Sequence, residues 1–205
     1  MSIPYGQTRT KISARHALIA PDGHVKSNVP GIVGATAVVV INQAMGARFA
    51  QLLVTFESGG RAVMAGSEIE TVAYFETGGA SISIGGARAR MVAGGYFFAP
   101  AGVAWSITTP KRGTRVTLFQ KKFAPLAGAP GPKALIGDAT KVKGEPFLGD
   151  PDAQLQVLLP DEAAYDLAVN IFTYQPGATL PFVETHIMER GVVMLAGQGV
   201  YRLED

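Results

Sequence analysis

The sequence predicts an all-β protein, an antiparallel sandwich or barrel laid down as two copies of one domain. Three observations carry that prediction: short apolar segments cut by turn residues, the lack of a helical stripe, and a long internal repeat. With 25 glycines and 13 prolines as punctuation, the chain breaks into runs rich in Val, Ile, Phe and Tyr. In order these are "ATAVVVI" (35–41), "AQLLVTF" (50–56), "TVAYF" (71–75), "ASISI" (80–84), "RVTLFQ" (115–120) and "AVNIFTY" (168–174). Each has the length of a strand and is bounded by Gly, Pro, Asn or Ser. No window of ordinary helix length carries a clean 3.6-residue apolar stripe. The stretch "APLAGAPGPKALIG" (124–137) reads as a linker, and "LPDEAAYDLA" (159–168) as a turn or short helix.

The repeat lays residues 52–82 over residues 169–202. Thr55-Phe56-Glu57-Ser58-Gly59 sits on Thr173-Tyr174-Gln175-Pro176-Gly177, and, after a short indel, Glu70 falls on Arg190 and Gly79 on Gly199. Identity is low, but turns and apolar runs coincide over about thirty residues, the mark of a duplicated β-domain. The expected organisation is an N-terminal domain with its extension at 1–123, a linker at 124–150 and a second domain at 151–205. Asp205 corresponds to Gly85 of the first copy, so the second barrel is expected to lack its closing strands.

Composition narrows the function classes. Hydrophobic residues make up 47% and charged residues 17%, enough apolar surface for a packed core. Net charge is +2 with the basic residues scattered, so the footprint of a nucleic-acid binder is missing. Cysteine is absent, which excludes disulfides and thiolate metal sites. The first residues show no apolar core of a signal peptide, and the most apolar stretch, 31–41, is too short to span a bilayer. The expectation is a soluble, cytoplasmic protein with a small-molecule partner.

Two stretches carry the candidate chemistry. In "ETHIMERG" (184–191), Glu184 and His186 are two apart, so on a strand both point to one face. A carboxylate and an imidazole converging from one face suit a divalent transition metal; the alternative is a hydrogen-bonded barrel histidine with Glu184 as its partner. Arg190 stands where a further ligand would be expected, and a guanidinium has no lone pair to donate. In the first copy the matching positions are Met64, Gly66 and Glu70, a poor set for a hard metal. That copy is expected to be a structural barrel filled by Trp105, Phe97 and the Tyr74/Phe75 pair. His16 and His24 lie among loop residues and read as turn or surface histidines.

"GGYFFAPAGVAW" (94–105) resembles the second cupin motif, G-x5-P-x-G-x2-H, with Trp105 in place of the histidine. Glu184-x-His186-x3-Arg190-x6-Gly197 resembles the first, H-x-H-x3-E-x6-G. Read together, "HALIAPDGHVKSNVPG" (16–31), "SEIETVAYFETGG" (67–79), "GGYFFAPAG" (94–102), "TYQPGA" (173–178) and "ETHIMERGVVMLAGQGVYRLED" (184–205) resemble the bicupins of the (S)-ureidoglycine aminohydrolase family. The resemblance implies two jelly-roll-like β-barrels, a metal-free N-terminal cupin and a C-terminal cupin binding Mn²⁺. It implies hydrolysis of (S)-ureidoglycine to (S)-ureidoglycolate and ammonia in purine catabolism, and a homo-oligomer. Glu184 and His186 match family metal ligands, and Tyr201 matches a tyrosine lining the substrate pocket. Arg190 replaces the family's second ligand histidine, and the ligand glutamine has no counterpart here. A metal-free bicupin holding a carboxylate or ureide through Arg190 is the alternative, by way of the bidentate fork of the guanidinium.

Overall fold

A computed structural model describes residues 8–180, 182–185 and 187–203. Three short strands lead in: β1 (Lys11–Ile12), β2 (Ala17–Leu18) and β3 (Lys26–Ser27). The main body follows as β4 (Ile32–Ile41), β5 (Phe49–Met64), β6 (Ile69–Thr77), β7 (Gly79–Ile84), β8 (Ala87–Val92), β9 (Gly95–Ala99), β10 (Trp105–Thr108) and β11 (Thr114–Lys122). After it come β12 (Leu135–Asp138), β13 (Glu145–Phe147), β14 (Asp150–Val157) and β15 (Asn170–Tyr174). Helix among the described residues is confined to single 3₁₀ turns at Pro21–Gly23, Gln43–Met45 and Ala139–Lys141. None is long and apolar enough to cross a membrane. The chain is all-β, and every apolar run read from the sequence contributes to a strand.

The long strand β5 converts sheet into barrel. Its first half pairs with β11 on one side and β4 on the other, whereas residues 61–64 pair with β10. Two sheets therefore share it: β12-β9-β6-β11-β5-β4, and β5-β10-β7-β8. The strand bends at residues 58–60, where Gly59 has φ +72°. A Cβ on Gly60 would lie 2.3 Å from the Gly34 carbonyl oxygen. Only glycine tolerates both the conformation and the approach.

The core between the two sheets holds Leu52, Val54, Phe56, Phe75, Phe97, Trp105, Ile107, Val116 and Leu118. Strand parity settles what reaches it, because successive side chains point to opposite faces. Phe75, Phe97 and Trp105 fill the interior as expected. Tyr74 does not: as the neighbour of Phe75 it faces outward, packed with Tyr96 and Leu158.

Strand β9 is buried along its whole length, which a one-layer wall could not achieve. Its outer face is covered by residues 135–171. Phe98 packs with Val72 and Leu159 and stands 5.3 Å from the Tyr165 ring; Tyr96 packs with Ala139 and Leu158. The stretch read as a linker thus supplies β12, which pairs with β9, and residues 159–168 cross the barrel as turns rather than a helix. Gly85 and Gly86, at φ +52° and +91°, form the two-residue turn between β7 and β8, the backbone twist such hairpins favour. Gly94 joins β8 to β9, which do not pair with each other, so the Gly94-Gly95 step is a corner rather than a hairpin.

Beyond the barrel, β13, β14 and β15 form a separate antiparallel sheet. Its first turn places Leu148 at φ +53°, a left-handed conformation that opposes its Cβ. Leu148 is exposed, so nothing is lost in packing when it is replaced. Leu148→Asn is expected to raise stability by about 0.5–1 kcal/mol, read from the urea midpoint. Among the described residues no strand follows β15. The segment carrying Glu184 was expected to be a strand, but no described strand lies on the far side of β15 for it to pair with, and it runs as bends and irregular chain.

Candidate functional site

In the first barrel, the positions that a metal site would use have been filled or closed. Met64 faces the core opposite Trp105 in register and lies 3.7 Å from the Thr71 hydroxyl, which donates to its sulfur. A Cβ on Gly66 would stand 2.3 Å from the Gly102 carbonyl oxygen, and the Gly102 N–H donates to the Ser67 carbonyl at 2.6 Å. The Pro100-x-Gly102 turn is thus pressed onto Gly66, leaving no room for a side chain there. Trp105 is buried with its ring 5.6 Å from Phe97. Glu70 is not in the interior at all: it shares the outward parity of Val72, not that of Ala73 and Phe75.

The other candidate residues gather around a residue the sequence reading did not single out, Tyr174 on β15. Burial pushes its phenol up, nearby Tyr201 and Glu184 push it further, and nearby Arg190 opposes them. Arg190 Nη1 donates to Glu184 Oε2 in a charge-assisted hydrogen bond. Glu184 and Arg190 are therefore brought together, and both, with Tyr201, lie near enough to Tyr174 on β15 to act on its charge. His186 lies outside the described residues. Nothing in "AVNIFTY" distinguishes Tyr174 from any strand aromatic, so only the folded chain reveals its neighbours.

The same segment is attached to the first barrel. Glu189 accepts from the Arg48 backbone N–H at 2.8 Å and from Arg48 Nε at 3.1 Å. Beside it, Gly191 lies against Gln51, Phe49 and Ile41, where an added Cβ would stand 2.3 Å from Gln51 Oε1. Glu189 thus faces the barrel while its neighbour Arg190 turns to Glu184.

A third cluster was missed from the sequence. Glu70 on β6 pairs in register with Lys121 on β11, and Asp166 reaches them from the 159–169 crossing. Asp166 Oδ2 accepts from Lys121 Nζ and, at 2.8 Å, from the Ala124 N–H. Glu70 is fully buried, and burial first, then Asp166, push its carboxyl up to about 9 against the pull of Lys121. No motif signals this cluster, because Asp166 sits in a polar stretch that reads as a surface turn.

No family model matches the chain. It is 31% identical over 192 residues to the (S)-ureidoglycine aminohydrolase of Escherichia coli K12, across 92% of this chain and 73% of that protein. It is 27% identical to the (S)-ureidoglycine aminohydrolase of Arabidopsis thaliana, across 98% of this chain and 66% of that one. Among solved structures it superposes on protein Ylba from E. coli with a TM-score of 0.79 at 26% identity, covering 88% of this chain and 73% of that one. A glyoxylate-induced protein of Pseudomonas aeruginosa gives 0.71 at 24% identity over 80% of this chain and 64% of that one, a likeness of fold.

Proposed function

The chain belongs to the (S)-ureidoglycine aminohydrolase family, and on that premise we propose that it acts on a small ureide of allantoin and purine catabolism. The reaction is hydrolysis of (S)-ureidoglycine, in which water replaces the amine, giving (S)-ureidoglycolate and ammonia. The observation that carries the reading is the 31% identity to the E. coli enzyme across 92% of this chain. In this reading residues 1–123 form the metal-free barrel, 124–150 the connection, and 151–205 the half that meets the ligand, in a cytoplasmic homo-oligomer. Tyr201 would meet the substrate, with Glu184 and Tyr174 near it.

The family's manganese does not fit the described donors. Glu184 is engaged by Arg190, and no group of three or more His, Asp or Glu among the described residues could hold a metal. A guanidinium near a divalent ion also opposes it by several kcal/mol at an effective dielectric of about 20.

The Arg190–Glu184 pair favours a second reading, a metal-free bicupin that holds a carboxylate or ureide through Arg190. One pair of measurements separates the two: ammonia release from (S)-ureidoglycine above its spontaneous rate, with and without added Mn²⁺, and calorimetric binding of (S)-ureidoglycolate in a chelator. Turnover establishes the enzyme; binding without turnover, abolished by Arg190→Ala, establishes the metal-free binder. Neither turnover nor binding would sink both.

A further inference from the structure

We propose that Glu70 and Asp166 share one buried proton and, with Lys121, form a pH-dependent latch that fastens the 159–169 crossing to the outer face of the first barrel. The inference does not depend on the function proposed above. Read as two carboxylates, the pair leaves both Glu70 oxygens and Asp166 Oδ1 buried without a partner, an arrangement folded proteins avoid. The other Asp166 oxygen is satisfied by Lys121 and the Ala124 N–H. One proton on Glu70 resolves the conflict, because a protonated carboxyl can donate to Asp166 Oδ1. Two carboxylates against a single lysine would otherwise leave a net negative charge out of water.

The charged groups that face Glu70 are Lys121 from β11 and Asp166 from the crossing. At the same end of the barrel, Glu68 and Lys122 pair with each other at 2.7 Å. The two carboxyls are driven apart: Glu70 is pushed up to about 9. Asp166 is raised by burial, but the Glu70 hydrogen bond, Lys121 and the Ala124 N–H outweigh that and hold it below its ordinary value.

When the crossing lifts away, Glu70 returns to water and to an ordinary value near 4.5. Below that, Glu70 carries its proton in both states, but Asp166, held below its ordinary value when closed, takes up a proton more readily on opening, so stronger acid loosens the latch again. Between 4.5 and about 9 the open state has lost a proton that the closed state keeps, so each pH unit favours opening by up to about tenfold. Above that range the effect levels off. The latch is strongest in mildly acidic solution, near the ordinary carboxyl values, and weakens as the medium becomes alkaline. The crossing leads directly into β15, so loosening it also loosens the base of the arm that bears Glu184, Arg190 and Tyr201.

The test is chymotryptic cleavage after Tyr165, which the closed crossing shields against Phe98. Rates for the intact chain are divided by those of Glu70→Gln at each pH, which cancels the protease's own pH dependence. The substituted amide keeps the shape of a protonated glutamate and donates to Asp166 without titrating. The ratio is expected to rise at least tenfold from pH 5 to pH 8, and a flat ratio overturns the latch. If Glu70→Gln does not fold, infrared spectroscopy of the unaltered protein decides. A protonated-carboxyl band present at pH 7 and lost at pH 10 supports the shared proton, and its absence at pH 7 overturns it.

Discussion

Replacing Gly66 by alanine is expected to destabilise the protein by about 2–5 kcal/mol, the range of severe steric and packing defects. The added Cβ would stand 2.3 Å from the Gly102 carbonyl oxygen, and both atoms are fixed to backbone, so no rotamer change relieves the clash. Gly102 is itself held, by its N–H bond to the Ser67 carbonyl at 2.6 Å and by φ +83°, which glycine alone adopts freely. Relief requires moving the Pro100-x-Gly102 turn and with it the start of β10. The measurement is the urea midpoint, and an unchanged midpoint would show that the turn yields freely. The same contact bears on function: histidines placed at Met64 and Gly66 should give an unfolded chain rather than a metal centre. The first barrel is closed to that chemistry by its backbone.

Arg190→His is expected to raise affinity for Mn²⁺ at least tenfold, the change of about 1.4 kcal/mol that a single added ligand readily exceeds. The substitution acts twice. It frees Glu184 from its charge-assisted bond to the guanidinium, and it supplies a nitrogen lone pair in place of a fixed positive charge. Titration calorimetry on the intact chain reads the result. Equal affinity in both proteins would mean that Arg190 is not what opposes the metal.

Much of the fold was legible because strand chemistry is local. Apolar runs bounded by glycine and proline became β4, β5, β6, β7, β11 and β15, and Phe75, Phe97 and Trp105 reached the interior. Less legible was whatever depends on a second layer. The sequence of β9 reads apolar whether one face is covered or two, and only the cover laid over it by residues 135–171 explains why Tyr96 and Phe98 are buried along with Phe97. The surroundings of Glu70 were hidden for a related reason. A repeat alignment matches positions along the chain, but a shift of one residue reverses the face, and Glu70, aligned with Arg190, points away from the barrel interior. At the candidate site, Glu184, Arg190 and Tyr201 were named from the sequence, whereas Tyr174 and the Arg48–Glu189 contact join residues far apart in sequence.

The strand shared by the two sheets has a consequence for how the molecule comes into being. Because β5 pairs with β4, β10 and β11, neither sheet has a complete set of neighbours until the other is in place. Phe49 meets Lys121 only after all of β6 to β10 has been laid down between them in the chain. Such non-local closure is entropically expensive before any contact rewards it. The barrel is therefore a slow, all-or-none assembly in which β11, made long after β5, completes it.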